Sequence, residues 1–207
     1  MTKDGVAGPV DDVEASAGAW TAKGFTVISG TVEKTTPRYY ITENRTYTGY
    51  DETLKTGPYN VGFANTRPDW VERFPYQNGL LVSYVDYAYN DNNTITHPGA
   101  GLVLPVDARP APITFPDGVK LGNRRQPFDA TFGQEATDAV TFHRNGVPVT
   151  VPSSPGIPVF DDTNPNKYWS SANPWNSVRV AGTGTSMTVT HTRDGGNELQ
   201  VHVAFAG

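Results

Sequence analysis

The 207-residue chain has no cysteine, which excludes disulfides, thiolate nucleophiles and cysteine-ligated zinc together. A basic surplus is missing as well. Lys and Arg number 16 against 21 Asp and Glu, a formal net charge of -5, so little is available to neutralise a phosphate backbone or an anionic lipid surface. Nucleic acid is not expected as a partner. No apolar run approaches the length of a bilayer span, so membrane insertion is not expected either. The opening MTKDGVAGPV lacks the charged-then-apolar order of a signal peptide. That leaves two alternatives, a chain that is not exported or one whose signal lay upstream.

Catalytic signatures are equally scarce. A zinc peptidase helix carries H-E-x-x-H, with two ligands on one face and a base between them. None of His97, His143, His191 or His202 stands in that pattern. His191 and His202 could face each other across a terminal hairpin, but a solvated strand histidine is the plainer reading of both. A serine nucleophile elbow needs G-x-S-x-G between strand and helix. The segment GTGTSM (182–187) lacks the second glycine and leads into a strand. No Gly-rich loop precedes a Lys-Ser/Thr pair, and no internal repeat or low-complexity tract is present.

What is abundant points to strands. Gly numbers 21, Pro 17, and aromatics make up 11% of residues, while helix-forming runs are nearly absent. The expectation is an all-β domain, a β-sandwich or jelly-roll-like fold of antiparallel strands with long loops. Residues 1–10 read as a flexible lead-in, and 11–207 as a single domain.

GFTVISGTVE (24–33) and RYYITENRTY (38–47) read as strands broken at Pro37. In the second, Tyr39, Ile41, Glu43 and Arg45 share one face, and Tyr40, Thr42 and Asn44 the other. Burying Tyr39 and Ile41 would pull Glu43 and Arg45 inward or to a rim, where they need partners. A short helical turn is expected after Pro68, with Trp70 and Phe74 on one side. GLLVSYVDY (79–87) is apolar on both faces and should be a central, covered strand. Its mate GLVLPVDA (101–108) contains Pro105, which suits an edge. DAVTFHRNGVPVTV (138–151) is a hairpin, because Asn145-Gly146 favours a tight turn with positive φ. The last 31 residues suggest three strands separated by Gly-rich turns.

Two acidic sites are candidates for structural calcium, which takes several oxygen ligands at once. The first is the insert YNDNNTITHPGA (89–100), where Asp91 and Asn93 would meet Asp86 at the end of the strand before it. The alternative is that Asp and Asn only cap turns through their own side chains. The second is Asp11, Asp12 and Glu14 at the entry to the first strand, equally readable as an exposed acidic segment. An aromatic loop with Tyr168, Trp169 and Trp175 could stack sugar rings or plug the end of the sandwich.

Certain of these segments resemble a known family. PRYYITENRTYTGYDETL (37–54) holds Tyr39-Tyr40, Glu43-Asn44-Arg45 and Gly49-Tyr50-Asp51. It is followed by the strand Gly79 to Val82, a polar loop closing in His97-Pro98-Gly99, and the strand Leu102 to Ala108. FDATFG (128–133), FDDT (160–163) and Tyr168-Trp169 continue the pattern. Together they resemble the region after the catalytic domain in immune inhibitor A-type secreted metallopeptidases. The likeness runs nearly the whole length and is most specific over 38–110. It implies structural roles for Glu43, Arg45, Asp51, His97 and Asp107, with His97 locking the exit turn of its loop.

The same resemblance implies a secreted zinc peptidase stabilised by calcium. The zinc-binding catalytic domain is not among these residues, so neither zinc nor a peptidase role is expected here. The expected role is that of a non-catalytic, extracellular C-terminal accessory domain. Its partner would be the catalytic domain of the parent protease and, beyond it, a protein or glycan substrate. The alternative is a stand-alone glycan- or surface-binding module.

Overall fold

The computed structural model describes residues 37–47, 76–122, 126–193 and 198–206, and the backbone alone of Arg193 and of the strands at 12–16 and 26–29. Asp11, Asp51, residues 1–10 and the expected turn after Pro68 lie outside these. Two four-stranded antiparallel sheets are present, ordered β1-β10-β9-β8 and β2-β3-β4-β5, with a separate β6-β7 hairpin. The first comprises β1 (Asp12–Ser16), β8 (Val159–Asp161), β9 (Ser186–Arg193) and β10 (Glu198–Ala204). The second comprises β2 (Thr26–Ser29), β3 (Arg38–Arg45), β4 (Gly79–Asp86) and β5 (Val103–Pro105). β6 spans Val140–Arg144 and β7 Val147–Val151.

The two sheets share one core, which makes the fold all-β and sandwich-like. Tyr40, Leu80, Val82, Tyr84 and Leu104 from one sheet pack with Phe160, Met187, Val189, Leu199, Val201 and Val203 from the other. Along β10 the buried Leu199, Val201 and Val203 alternate with Gln200 and His202, as a strand with one wet face requires. Each apolar side chain fully buried this way contributes about 1.5–3 kcal/mol. A satellite core of Phe115, Leu121, Phe128 and Phe142 lies under the β6-β7 hairpin. There Asn145 and Gly146 both hold positive φ, 50° and 80°, which is the tight turn that the Asn-Gly pair favours.

β4 is the central strand, paired with β3 on one side and β5 on the other, and Pro105 sits in the edge strand. The fold settles three open points, and only the count of terminal strands departs from expectation. On β3 the fully covered face is that of Tyr40 and Thr42, while Tyr39 and Ile41 are only half-buried. Two terminal strands form instead of three. In 177–185 the N–H of Val178 donates to Tyr168 O, that of Arg179 to Gly99 O and that of Val180 to Pro165 O. Those donors are spent on two loops, so no ladder forms. His191 and His202 do not face each other, since His191 pairs with Gln200 and His202 with Thr188 across a bulge.

Candidate functional site

The insert between β4 and β5 is pinned from within. Asp86, at the end of β4, accepts from Ala88 N at 2.9 Å and pairs with Arg38 at 3.2 Å. Asp91 accepts from Asn93 N and from His97 Nε2, both at 2.7 Å. Asn93 accepts from Ile95 N at 3.2 Å, and Asn92 from Val103 N at 2.7 Å. These are side-chain caps on successive turns, the ordinary work of Asp and Asn.

His97 closes the loop. Its Nδ1 lies 2.6 Å from Ala100 O and its Nε2 2.7 Å from the Asp91 carboxylate. Both partners only accept, so each ring nitrogen must carry a proton and the imidazolium is favoured. The Ala100 carbonyl first, and Asp91 next, accordingly hold the His97 pKa above its ordinary value. The Asn93 N–H and His97 hold the Asp91 carboxyl below its own. Tyr89 covers the ring at a centroid distance of 4.8 Å.

A second loop, residues 162–178, packs onto this insert. Arg179 donates to Pro98 O at 2.8 Å and lies 3.6 Å over the Trp169 ring. Thr94 Oγ1 donates to Trp175 O at 2.8 Å. Gly99 has φ +81°, and a Cβ there would come within 2.7 Å of Trp169. The close approach and the left-handed backbone both require glycine.

The three aromatics therefore part company. Tyr168 is buried, stacked on Phe160 at 5.3 Å, and its hydroxyl accepts from Asp161 N at 2.8 Å. Trp169 is held under Arg179. Trp175 is 50% exposed and borders a cleft of about 340 Å³ between the aromatic loop and β5. Tyr76, Pro105, Pro127, Asn92 and Asn176 also line it. Among the described residues that line it there is no Asp, Glu, Lys, Arg or His.

The acidic candidates are dispersed. Asp86 serves Arg38 while Asp91 serves His97, and among the described residues no three His, Asp or Glu are grouped as a metal would need. Asp86, Asp91 and Asn93 each serve as a turn cap in this arrangement, with Asp86 also paired to Arg38. Asp12 and Glu14 lie on β1, opposite His202 and Gln200 of β10. Glu43 and Arg45 pair with each other at 3.0 Å, each about a quarter exposed, and Arg45 also lies over the Tyr76 ring at 5.7 Å.

Asp107 is almost wholly buried. One of its oxygens accepts from Arg109 N at 2.7 Å. The Gln126 side chain faces its carboxyl, and one oxygen of the buried Asp129 meets no donor among the described residues. Burial, and for Asp107 also the charge of Asp129, raises both carboxyl pKa values. Arg109 donates to the Asp129 and Pro155 carbonyls at 2.8 and 2.6 Å. Arg109, Arg179 and Asp162 are polar anchors that pattern alone did not single out. No local spacing marks them, because each acts on a segment distant in sequence.

Comparison with known proteins identifies the family. Residues 33–201 match the family model described as immune inhibitor A-like metallopeptidase, VEG domain. Immune inhibitor A of Bacillus thuringiensis subsp. alesti is 34% identical over 169 residues, which is 79% of this chain and 22% of that protein. The chain thus spans about a fifth of the length of that relative. The chain belongs to the immune inhibitor A-like metallopeptidase VEG-domain family.

Proposed function

We propose that the chain is a non-catalytic accessory module of a secreted zinc metallopeptidase, working outside the cell by positioning or stabilising the catalytic domain. The observation that carries this reading is the match itself. It assigns residues 33–201, most of the chain, to one domain type, and the matched relative is between three and four times as long as this chain. The build of the molecule supports it. Both long loops are tied to each other by side-chain and backbone bonds, which suits a rigid surface better than a mobile catalytic lid.

The experiment has two arms. The purified chain, incubated with casein and added zinc, should release no peptide, and hydrolysis abolished by a chelator would overturn the non-catalytic reading. Added to an immune inhibitor A-type catalytic segment lacking its own VEG domain, the chain should raise that segment's thermal midpoint by mass action. An unchanged midpoint at saturating chain would overturn the stabilising role.

A further inference from the structure

We propose that the cleft beside β5 binds a neutral polysaccharide, with Trp175 as its stacking platform. The edge of the sheet sets the chemistry. Asp86 N donates to Leu102 O at 3.0 Å and Val106 N to Val82 O at 2.8 Å, and Val85 and Ser83 lie opposite Val103 and Pro105. By the alternation of an antiparallel ladder, residues 104 and 106 and the Leu102 carbonyl turn toward β4, the Leu102 N–H going instead to Asp91 O at 2.8 Å, and residues 103 and 105 turn their polar groups away. The outward donors are spent. Val103 N–H is taken by the Asn92 side chain at 2.7 Å, and Pro105 has none. The outward carbonyls along this wall are those of Val103 and Pro105, and among the described residues neither is matched by a donor.

An added peptide strand needs donors and acceptors in alternation, and this edge lacks the donors. A sugar chain presents hydroxyl donors at its rim and an apolar C–H face for an indole, which is what the carbonyls and Trp175 ask for. Asparagine amides at 92 and 176 add polar groups of the same kind. None of the described lining residues carries an acidic or basic side chain that would pair with a uronic acid, a sulfate or a charged peptide side chain. The platform is mounted rigidly. Thr94 holds the Trp175 carbonyl, and Asn176 Nδ2 donates to Asn173 Oδ1 at 2.8 Å. The cleft, at about 340 Å³, lies at the small end of ligand pockets, the scale of a sugar unit or two.

Native gels containing hydroxyethylcellulose, galactomannan or soluble starch test this, with gelatin and alginate gels in parallel. The chain should be retarded in at least one neutral polysaccharide. Trp175→Ala should lose at least about tenfold in apparent affinity, while Val147→Ala, on the exposed face of β7, should behave as wild type. Because Trp175 is half exposed, the variant should keep the wild-type circular dichroism spectrum. A soluble oligosaccharide of the retarding polymer should also shift tryptophan emission in the wild type, a second readout that needs no variant. Unaltered mobility in all three neutral polymers overturns the proposal. So does retardation that survives Trp175→Ala, or retardation confined to gelatin or alginate.

Discussion

Tyr40 on β3 donates its hydroxyl proton to Asp162 Oδ2 at 2.7 Å, across the interface between the two sheets. Asp162, just past β8, is fully buried, and also accepts from Thr185 N at 2.6 Å and Thr183 Oγ1 at 2.9 Å. The Tyr40 hydroxyl in turn accepts from Ala181 N at 3.1 Å. One phenol thus links three segments. Tyr40→Phe removes the donor while keeping the ring, and should cost about 1.5–3 kcal/mol, as expected for a buried bond to a charged group. Urea denaturation measures it, and a loss within error of zero would show that Asp162 is satisfied without the tyrosine.

The buried pair Asp107 and Asp129 sets a pH dependence. Both folded-state pKa values are raised, so above the ordinary carboxyl range near pH ~4 the native state holds more protons than the unfolded one. Stability must then fall as pH rises. The urea midpoint should be higher at about pH 5 than at about pH 8. Asp107→Asn keeps an acceptor for Arg109 N without the charge. It should flatten this slope and stabilise the protein at the alkaline end by roughly 1–3 kcal/mol. A slope equally steep in the variant would remove the pair as its source.

His97 contributes to the same slope by a different route, which a second variant separates. Its raised pKa means that its stabilisation is full below the ordinary histidine value and is lost as pH rises through the folded value. Asp91, with its pKa lowered, contributes above the ordinary carboxyl range and is lost on acidification below it. His97→Gln should therefore weaken the protein most between those two ranges, and little at alkaline pH. A penalty that is constant across this pH span would show that packing on Tyr89, and not charge, is what the ring supplies.

Individual strands were legible wherever a local rule applied, while the sheet order was not. A run apolar on both faces marks β4 as covered, Pro105 marks an edge, and Asn145-Gly146 marks a hairpin. The covered face of β3 was not legible, because Tyr39 and Tyr40 are equally large and neighbouring. Tyr40 goes inward because Asp162 receives its hydroxyl there, and the two are 122 positions apart. The segment 177–185 shows the same limit. Its Val178 and Val180 have strand propensity, yet their N–H groups answer to Tyr168 and Pro165. Three aromatics that look alike in one loop become a core plug, a cation shelf and an exposed platform, according to contacts that spacing does not encode.

Metal dependence of the insert can be read from Asp91. Its Oδ1 accepts from His97 and from Asn93 N, which is work for a turn cap and needs no ion. Asp91→Asn should lower the thermal midpoint by the same amount in a chelator and in millimolar calcium. A loss seen only with calcium present would instead place an ion on this loop, stabilising by mass action.

Arg179 joins the two long loops through its guanidinium, which lies over Trp169, donates to Pro98 O and bonds Asn166 Oδ1 at 3.2 Å. Arg179→Ala removes the stacking and the hydrogen bonds together, and should cost about 1–2 kcal/mol. The insert at 89–100 should then become the first site of limited proteolysis, since the Thr94 bond and the backbone N–H of residue 179 alone would still tie it to the second loop. Arg179→Lys keeps the charge but not the planar fork, so it should recover less than half of the loss. Full recovery by lysine would mean that charge alone ties the loops. The planar stack on Trp169 predicts otherwise, and tryptophan emission should shift in both variants as that ring loses its cover.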